Sequence, residues 1–222
     1  MVDYDADPKK TEYTRIMSKT LTLVLGTHNQ KKRLELAHLL APYPVQLKSL
    51  EDFPAALDVE ETGNTFAANA VLKATEQAIH LDRWVLGEDS GLSVASLDGA
   101  PGVYSARFSG PHATDTTNNE LLLEKLRDQP DSKRSAWYTC NMALSDPTGK
   151  IRIQTEAYCH GRILKEPQGS AGFGYDPLFE IPEYQLTFAE LGNSVKSILS
   201  HRARAHRLFM RQFIHLLTLQ ID

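Results

Sequence analysis

The run Leu21-Thr22-Leu23-Val24-Leu25 constrains this chain more than any other segment. It is apolar-rich and shows no in–out alternation. A strand buried on both faces reads this way, and such strands belong to parallel sheets covered by helices. The run ends in the turn-like Gly26-Thr27-His28-Asn29. Leu36, Leu39 and Leu40 then recur at helical spacing, Pro42 and Pro44 close the segment, and residues 45–47 suggest a second strand. A β-α-β start of this kind predicts an α/β protein.

The same reading extends along the chain. Asn64 or Thr65 can cap a helix that runs to about Leu81, with an apolar stripe of Ala67, Val71, Ala74, Ala78 and Leu81. Asn69 and Lys73 are four apart and point together from another face. Trp84-Val85-Leu86 and Leu92-Ser93-Val94 read as strands on either side of an acidic turn, Gly87-Glu88-Asp89-Ser90-Gly91. Residues 115–126 read as a helix. Residues 135–144 and 151–158 flank Asp146-Pro147-Thr148-Gly149 and predict an antiparallel hairpin. Residues 196–219 read as one long C-terminal helix.

Composition narrows the classes. The 222 residues suffice for one large domain or two lobes sharing a sheet. The net charge of −4 speaks against non-specific binding to nucleic acid or anionic membrane. No apolar run approaches the roughly 20 residues that span a bilayer. Residues 1–19 are polar and read as a disordered extension ahead of a single domain over 20–222. Cys140 and Cys159 lack metal-type spacing and read as buried thiols in a reducing cytoplasm.

Four segments carry more polar function than a core needs. In Thr27-His28-Asn29-Gln30-Lys31-Lys32 a strand-to-helix turn offers free N–H groups to an anion, beside a hydroxyl, an amide and ammonium groups; the glycine spacing of a P-loop is absent. Glu60-Glu61-Thr62-Gly63-Asn64-Thr65 places carboxylates ahead of the helix bearing Asn69 and Lys73. Glu88-Asp89 could hold a hard divalent cation, with Pro101-Gly102-Val103-Tyr104-Ser105-Ala106-Arg107 following. Gly172-Phe173-Gly174-Tyr175-Asp176-Pro177 sets aromatics in a glycine-rich turn, ahead of Lys196 and Ser200-His201-Arg202. Each alone has an ordinary structural explanation: a solvated turn, a helix cap, a packed loop, and for His201, Arg202, Arg204, His206, Arg207 and Arg211 a solvated helix face. Together they offer acids for a metal, donors for phosphates and aromatics for a ring.

In order, these motifs resemble those of the inosine/xanthosine triphosphate pyrophosphatase family. The resemblance runs from Leu21 to the C-terminus and rests on Thr27-x-Asn29-x-x-Lys32, the block from Glu60 to Ala74, Asp89-Ser90-Gly91-Leu92, the block from Gly99 to Arg107, Gly172 to Pro177, Ala189-Glu190-Leu191, Lys196 and Ser200-His201-Arg202. It implies an elongated, two-lobed α/β fold around a long mixed sheet, commonly a homodimer. It implies Mg2+-dependent hydrolysis of ITP, dITP and XTP to the monophosphate and pyrophosphate. Asp89 becomes the catalytic acid/base and a metal ligand, with Glu60 as the partner ligand and Glu61 the alternative. Thr27, His28, Asn29, Gln30, Lys31 and Lys32 fall in the phosphate-binding turn, supported by Asn69 and Lys73. Ser90 lies in the substrate site, Phe173, Gly174, Tyr175 and Asp176 line the base and sugar pocket, and Lys196, His201 and Arg202 read the base. Glu88 departs from the pattern, because many relatives carry Asp there. Two other readings stay open: a septum-inhibitor-type pyrophosphatase for pyrimidine or modified nucleotides, and a non-catalytic nucleotide sensor.

Overall fold

The computed structural model describes residues 21–219 except Pro42 and Pro44, and for Leu217, Thr218 and Leu219 the backbone alone. The extension expected over residues 1–19 and the prolines expected to end the first helix lie outside the described residues.

β1 (Leu21–Leu25) runs parallel to β2 (Val45–Ser49) and to β3 (Trp84–Val94), and α1 (Gln30–Leu40) makes the β1–β2 crossover. β3 pairs antiparallel with β4 (Ser135–Ser145), and β4 with β5 (Ile151–Ile163). The short β6 (Phe179–Ile181) and β7 (Leu186–Thr187) complete a seven-stranded mixed sheet in the order β2-β1-β3-β4-β5-β6-β7. The α/β expectation, the parallel first strands and the hairpin all hold. Among the described residues no helix is long and apolar enough to cross a membrane, and Cys140 and Cys159 are buried free thiols.

The acidic turn does not exist. Residues 84–94 form one unbroken strand, paired with β4 from Val85↔Ser145 to Val94↔Ala136. β1 accompanies it only as far as Leu25↔Leu86 and then turns away at Gly26. Gly87 and Gly91 gave the turn-like signal, but they are there for close packing. A Cβ on Gly87 would meet the Ala70 carbonyl at 2.2 Å, and one on Gly91 would meet Ser105 Oγ at 2.4 Å. Leu86 belongs to one apolar core, with Met142, Phe209 and Phe213. Leu92 belongs to another, with Tyr138, Leu122 and Phe179. The polar segment of β3 therefore crosses the gap between two cores.

α2 (Phe66–Leu81) starts where expected, with Thr65 Oγ1 accepting the Ala68 N–H at 3.1 Å. Its buried face differs from the expected stripe. Ala70, Ala74 and Ala78 are buried, but so are Asn69, Lys73 and Gln77, whereas Ala67 and Val71 are only half-buried. Small alanines let the helix approach Gly87, and the polar residues follow because that face also covers Asp89. α3 (Asp115–Lys125) agrees with its sequence pattern.

The long C-terminal helix is two helices. α4 (Phe188–Leu199), kinked at the non-helical Gly192 (φ 75°, ψ 175°), ends at Ser200, which is extended (φ −64°, ψ 158°), and α5 (His201–Leu219) begins with Ser200 Oγ accepting the Ala203 N–H at 3.2 Å. Helical periodicity does not reveal the break, because a serine N-cap looks like any polar residue inside a helix. The break brings Lys196, at the end of α4, next to His201 and Arg202, at the start of α5.

Replacing Gly87 by Ala would press a methyl group into the α2 backbone. We expect about 1–3 kcal/mol of destabilisation, read as a lower urea midpoint with an unchanged slope.

Candidate active site

Where β1 leaves β3, a cavity of about 630 Å³ opens, and Asp89 and Ser90 lie on its wall. One wall is the turn after β1. Asn29 caps α1, its Oδ1 accepting the Lys32 N–H at 3.1 Å, and Thr27 Oγ1 accepts the Asn29 N–H at 3.2 Å. Thr27, His28, Asn29 and Lys32 line the cavity. Gln30 and Lys31 do not: Gln30 donates to Glu51 at 3.2 Å, and Lys31 reaches Asp115 on α3 at 2.8 Å.

The side chains of Glu88 and Asp89 leave β3 on opposite faces, as strand alternation requires. Asp89 faces α2. Its Oδ1 lies 3.1 Å from Lys73 Nζ and its Oδ2 accepts from Asn69 Nδ2 at 3.2 Å. Lys73 also reaches Glu61 at 2.8 Å, and Arg107 lies 3.6 Å from the other Glu61 oxygen. Asn69 is thus beneath the carboxylate, fixed by accepting the Gly63 N–H at 2.8 Å, and does not line the cavity. Glu60 lines the cavity but is exposed, while Glu61 is turned towards Lys73 and Asp89.

Burial pushes the Asp89 carboxyl above its ordinary range, against the pull of Lys73 and Lys32. The same burial opposes the charge on Glu61, but Lys73 outweighs it and holds Glu61 low. For Lys73, burial is outweighed by Asp89 and Glu61, so the amine stays charged.

Glu88 faces α5. Its Oε1 lies 3.4 Å from Arg202 Nη2 and its Oε2 lies 3.5 Å from Lys32 Nζ. Burial opposes its charge, but Arg202 and Lys32 prevail and hold the carboxyl well below the usual range. Arg202 is buried, with Nη1 paired to Glu35 and Nη2 donating to Ser90 Oγ at 3.0 Å. Lys196 donates to Asp176 at 2.6 Å and lies 3.1 Å from Glu35. His201 is buried against Tyr138, ring centroids 4.6 Å apart and planes 10° from parallel. Burial and the nearby Arg202 depress its pKa well below the ordinary value, so the imidazole is neutral near pH 7. The expected solvated basic face is therefore split: His201, Arg202 and His206 are buried, and Arg204, Arg207 and Arg211 are exposed.

Phe173 carries Lys196 at 4.1 Å, Lys31 at 5.3 Å and Arg202 at 5.9 Å from its ring centre. Gly174, Tyr175 and Asp176 continue this wall of the cavity. The Tyr175 hydroxyl donates to the Ser105 carbonyl at 2.8 Å and ties the wall to the segment carrying Arg107. Sequence reading missed Glu35, Arg107, Asp115 and Tyr138 as site residues. Glu35 and Asp115 look like helix-surface acids, and Tyr138 like a strand hydrophobe. Arg107 lies inside the block from Gly99 to Arg107, where nothing local points to its partner Glu61.

A model of the Ham1 family matches residues 23–212. This chain belongs to the Ham1 family. It is 54% identical over 200 residues to a dITP/XTP pyrophosphatase of Rhodopirellula baltica, covering 90% of this chain and 96% of that one. A dITP/XTP pyrophosphatase of Desulforamulus reducens is 47% identical, with 88% and 98% covered. Among solved structures, a HAM1 protein from Coxiella burnetii superposes with a TM-score of 0.79 at 38% identity, over 89% of this chain and 98% of that one. The Ham1 protein of Staphylococcus aureus gives 0.77 at 34% identity, covering 87% and 98%. The family resemblance read from the motifs and the mixed-sheet α/β fold both hold.

Removing Lys73 would take away the only ion-pair partner that Asp89 has among the described residues and leave Glu61 with Arg107 alone. Lys73→Met is expected to cost about 3–5 kcal/mol, the usual penalty for breaking a buried pair. Adding Asp89→Asn should recover part of it; urea unfolding of both variants checks this.

Proposed function

We propose that this protein is a Mg2+-dependent nucleoside triphosphate pyrophosphatase that converts ITP, dITP and XTP to the monophosphate and pyrophosphate. One observation carries the reading. A single cavity is lined by an anion-binding helix turn, by Asp89 with Glu61 across Lys73, and by Lys196, His201 and Arg202 beside an aromatic wall. That ordering matches phosphate, reacting centre and base.

The donor set suits magnesium. Glu61 and Asp89 offer hard carboxylate oxygens that already converge on one ammonium group. Among the described residues no group of three or more His, Cys, Asp or Glu side chains could hold a metal by itself. A magnesium ion held by these two carboxylates would complete its shell with water and substrate phosphate. The geometry supports Glu61 over Glu60 as the partner of Asp89. When bound, Mg2+ supplies charge neutralisation and a more acidic water. Asp89, whose pKa burial raises, takes the proton of the attacking water. Asn69 and Lys73 hold its carboxylate in place. Lys32, with the free N–H groups at the start of α1, steadies charge on the phosphates.

Base choice follows from donor and acceptor chemistry. Arg202 can only donate. Hypoxanthine and xanthine present a 6-oxo acceptor to it, whereas adenine presents an amine. Leaving a buried polar group unpaired costs about 1–3 kcal/mol, roughly 5- to 150-fold. Guanine shares the 6-oxo group, so its exclusion must act through the 2-amino group. The reading brings with it a homodimer and a cytoplasmic setting, which the free thiols of Cys140 and Cys159 suit.

Pyrophosphate release from ITP, XTP, dITP, ATP and GTP, with and without Mg2+, tests the proposal. Strong Mg2+-dependent release from the first three alone is expected. Release from pyrimidine nucleotides but not ITP would move the chain to the septum-inhibitor type, and binding without release would make it a sensor. Asp89→Asn should keep the fold and lose turnover; near-normal activity would remove Asp89 as the base. Arg202→Ala should narrow the ITP:ATP preference, and an unchanged ratio would sink this account of selectivity.

A further inference from the structure

Glu88 is buried, 1% exposed, yet it is not among the side chains lining the cavity, although its neighbours Asp89 and Ser90 are. The chemistry above gives it no task. Its contacts suggest one. Oε1 points to Arg202, 3.4 Å away, and accepts from Cys140 Sγ at 3.5 Å. Oε2 has no hydrogen-bond partner, and its nearest cation is Lys32 at 3.5 Å. Arg202 and Lys32 both line the cavity, but they come from different elements, α5 and α1. Resting on the nucleotide reading, one belongs to the base end and the other to the phosphate end.

We propose that Glu88 is a positioning residue that ties the base-reading Arg202 to the phosphate-holding Lys32, one carboxylate oxygen serving each cation. Two acceptor oxygens are what this arrangement needs. A glutamine of the same shape would offer one acceptor and one NH₂ donor. Either Arg202 or Lys32 would then face a donor and have to move. Glu35 and Ser90 hold Arg202 from its other sides, so Glu88 fixes the distance between the two ends and does not merely neutralise the arginine. Recognition of the base and placement of the phosphates thereby share one buried anchor.

The test measures kcat and KM separately for ITP and ATP in wild type, Glu88→Gln and Glu88→Asp. Wild type comes first: no pyrophosphate release from ITP would overturn the substrate reading and the tether with it. With an active wild type, Glu88→Gln should lower kcat/KM for ITP by about 10- to 150-fold, the worth of one charge-assisted hydrogen bond. It should also narrow the ITP:ATP ratio. Glu88→Asp, which keeps the charge, should restore most of both. A purely structural role would lower turnover of both nucleotides alike, so an unchanged ratio in a folded Glu88→Gln enzyme overturns the tether. So does a Glu88→Asp enzyme no better than Glu88→Gln. If Glu88→Gln does not fold, Lys32→Met is read instead: the tether makes loss of this phosphate-end cation narrow the ITP:ATP ratio as well as lower turnover. A folded Lys32→Met enzyme with lower turnover but an unchanged ratio overturns it.

Discussion

Adjacent residues of a strand point to opposite faces, and at Glu88 and Asp89 that rule organises the whole site. Asp89 goes to the α2 side and starts one chain of charges, through Lys73 and Glu61 to Arg107. Glu88 goes to the α5 side and starts another, from Lys32 through Arg202 and Glu35 to Lys196 and Asp176. A single strand thus sends Asp89 to one network and Glu88, with Arg202 and Lys32, to the other, and holds both to one backbone. Buried ion pairs of this kind contribute little net stability, because desolvation offsets most of their attraction. The apolar cores around Leu86 and around Leu92 must hold β3 in place while its middle carries charge.

That division explains which parts of the molecule were legible. The β-α-β start, the Thr65 cap and the hairpin are local, and periodicity or turn chemistry suffices for them. The middle of β3 was not legible as strand. Its glycines and acids carry the signature of a turn, and only the approach of α2 to Gly87 and of Ser105 to Gly91 shows why glycine is needed there. The end of α4 at Ser200 was hidden for a similar reason: a capping serine and a mid-helix serine look alike until the backbone turns. At the site, the motif residues given a binding or catalytic role line the cavity, except Gln30, Lys31 and Asn69, which are set off its wall. Glu35 lay outside those motifs, a helical acid whose partners Arg202 and Lys196 are far away in sequence. No local pattern encodes such a pairing.

The charge balance also bears on how a triphosphate could be accommodated. Lys32, Lys73, Lys196, Arg107 and Arg202 all reach or border the cavity, and each already has a carboxylate within ion-pair distance. The site is therefore not a pool of free positive charge. A substrate bearing several negative charges cannot be neutralised simply by entering it, since every cation it recruits leaves a buried carboxylate less well paired, at the desolvation cost that such groups carry. On the proposed reading, Glu61 and Asp89 would hold a divalent cation that accompanies the phosphates, and Lys73 would be shared with the phosphate. On that reading the paired cations would be held at fixed points by their carboxylates, and for Lys32 and Lys73, at the phosphate end, this is the form of preorganisation that favours charge developing in the transition state over charge already present in the substrate.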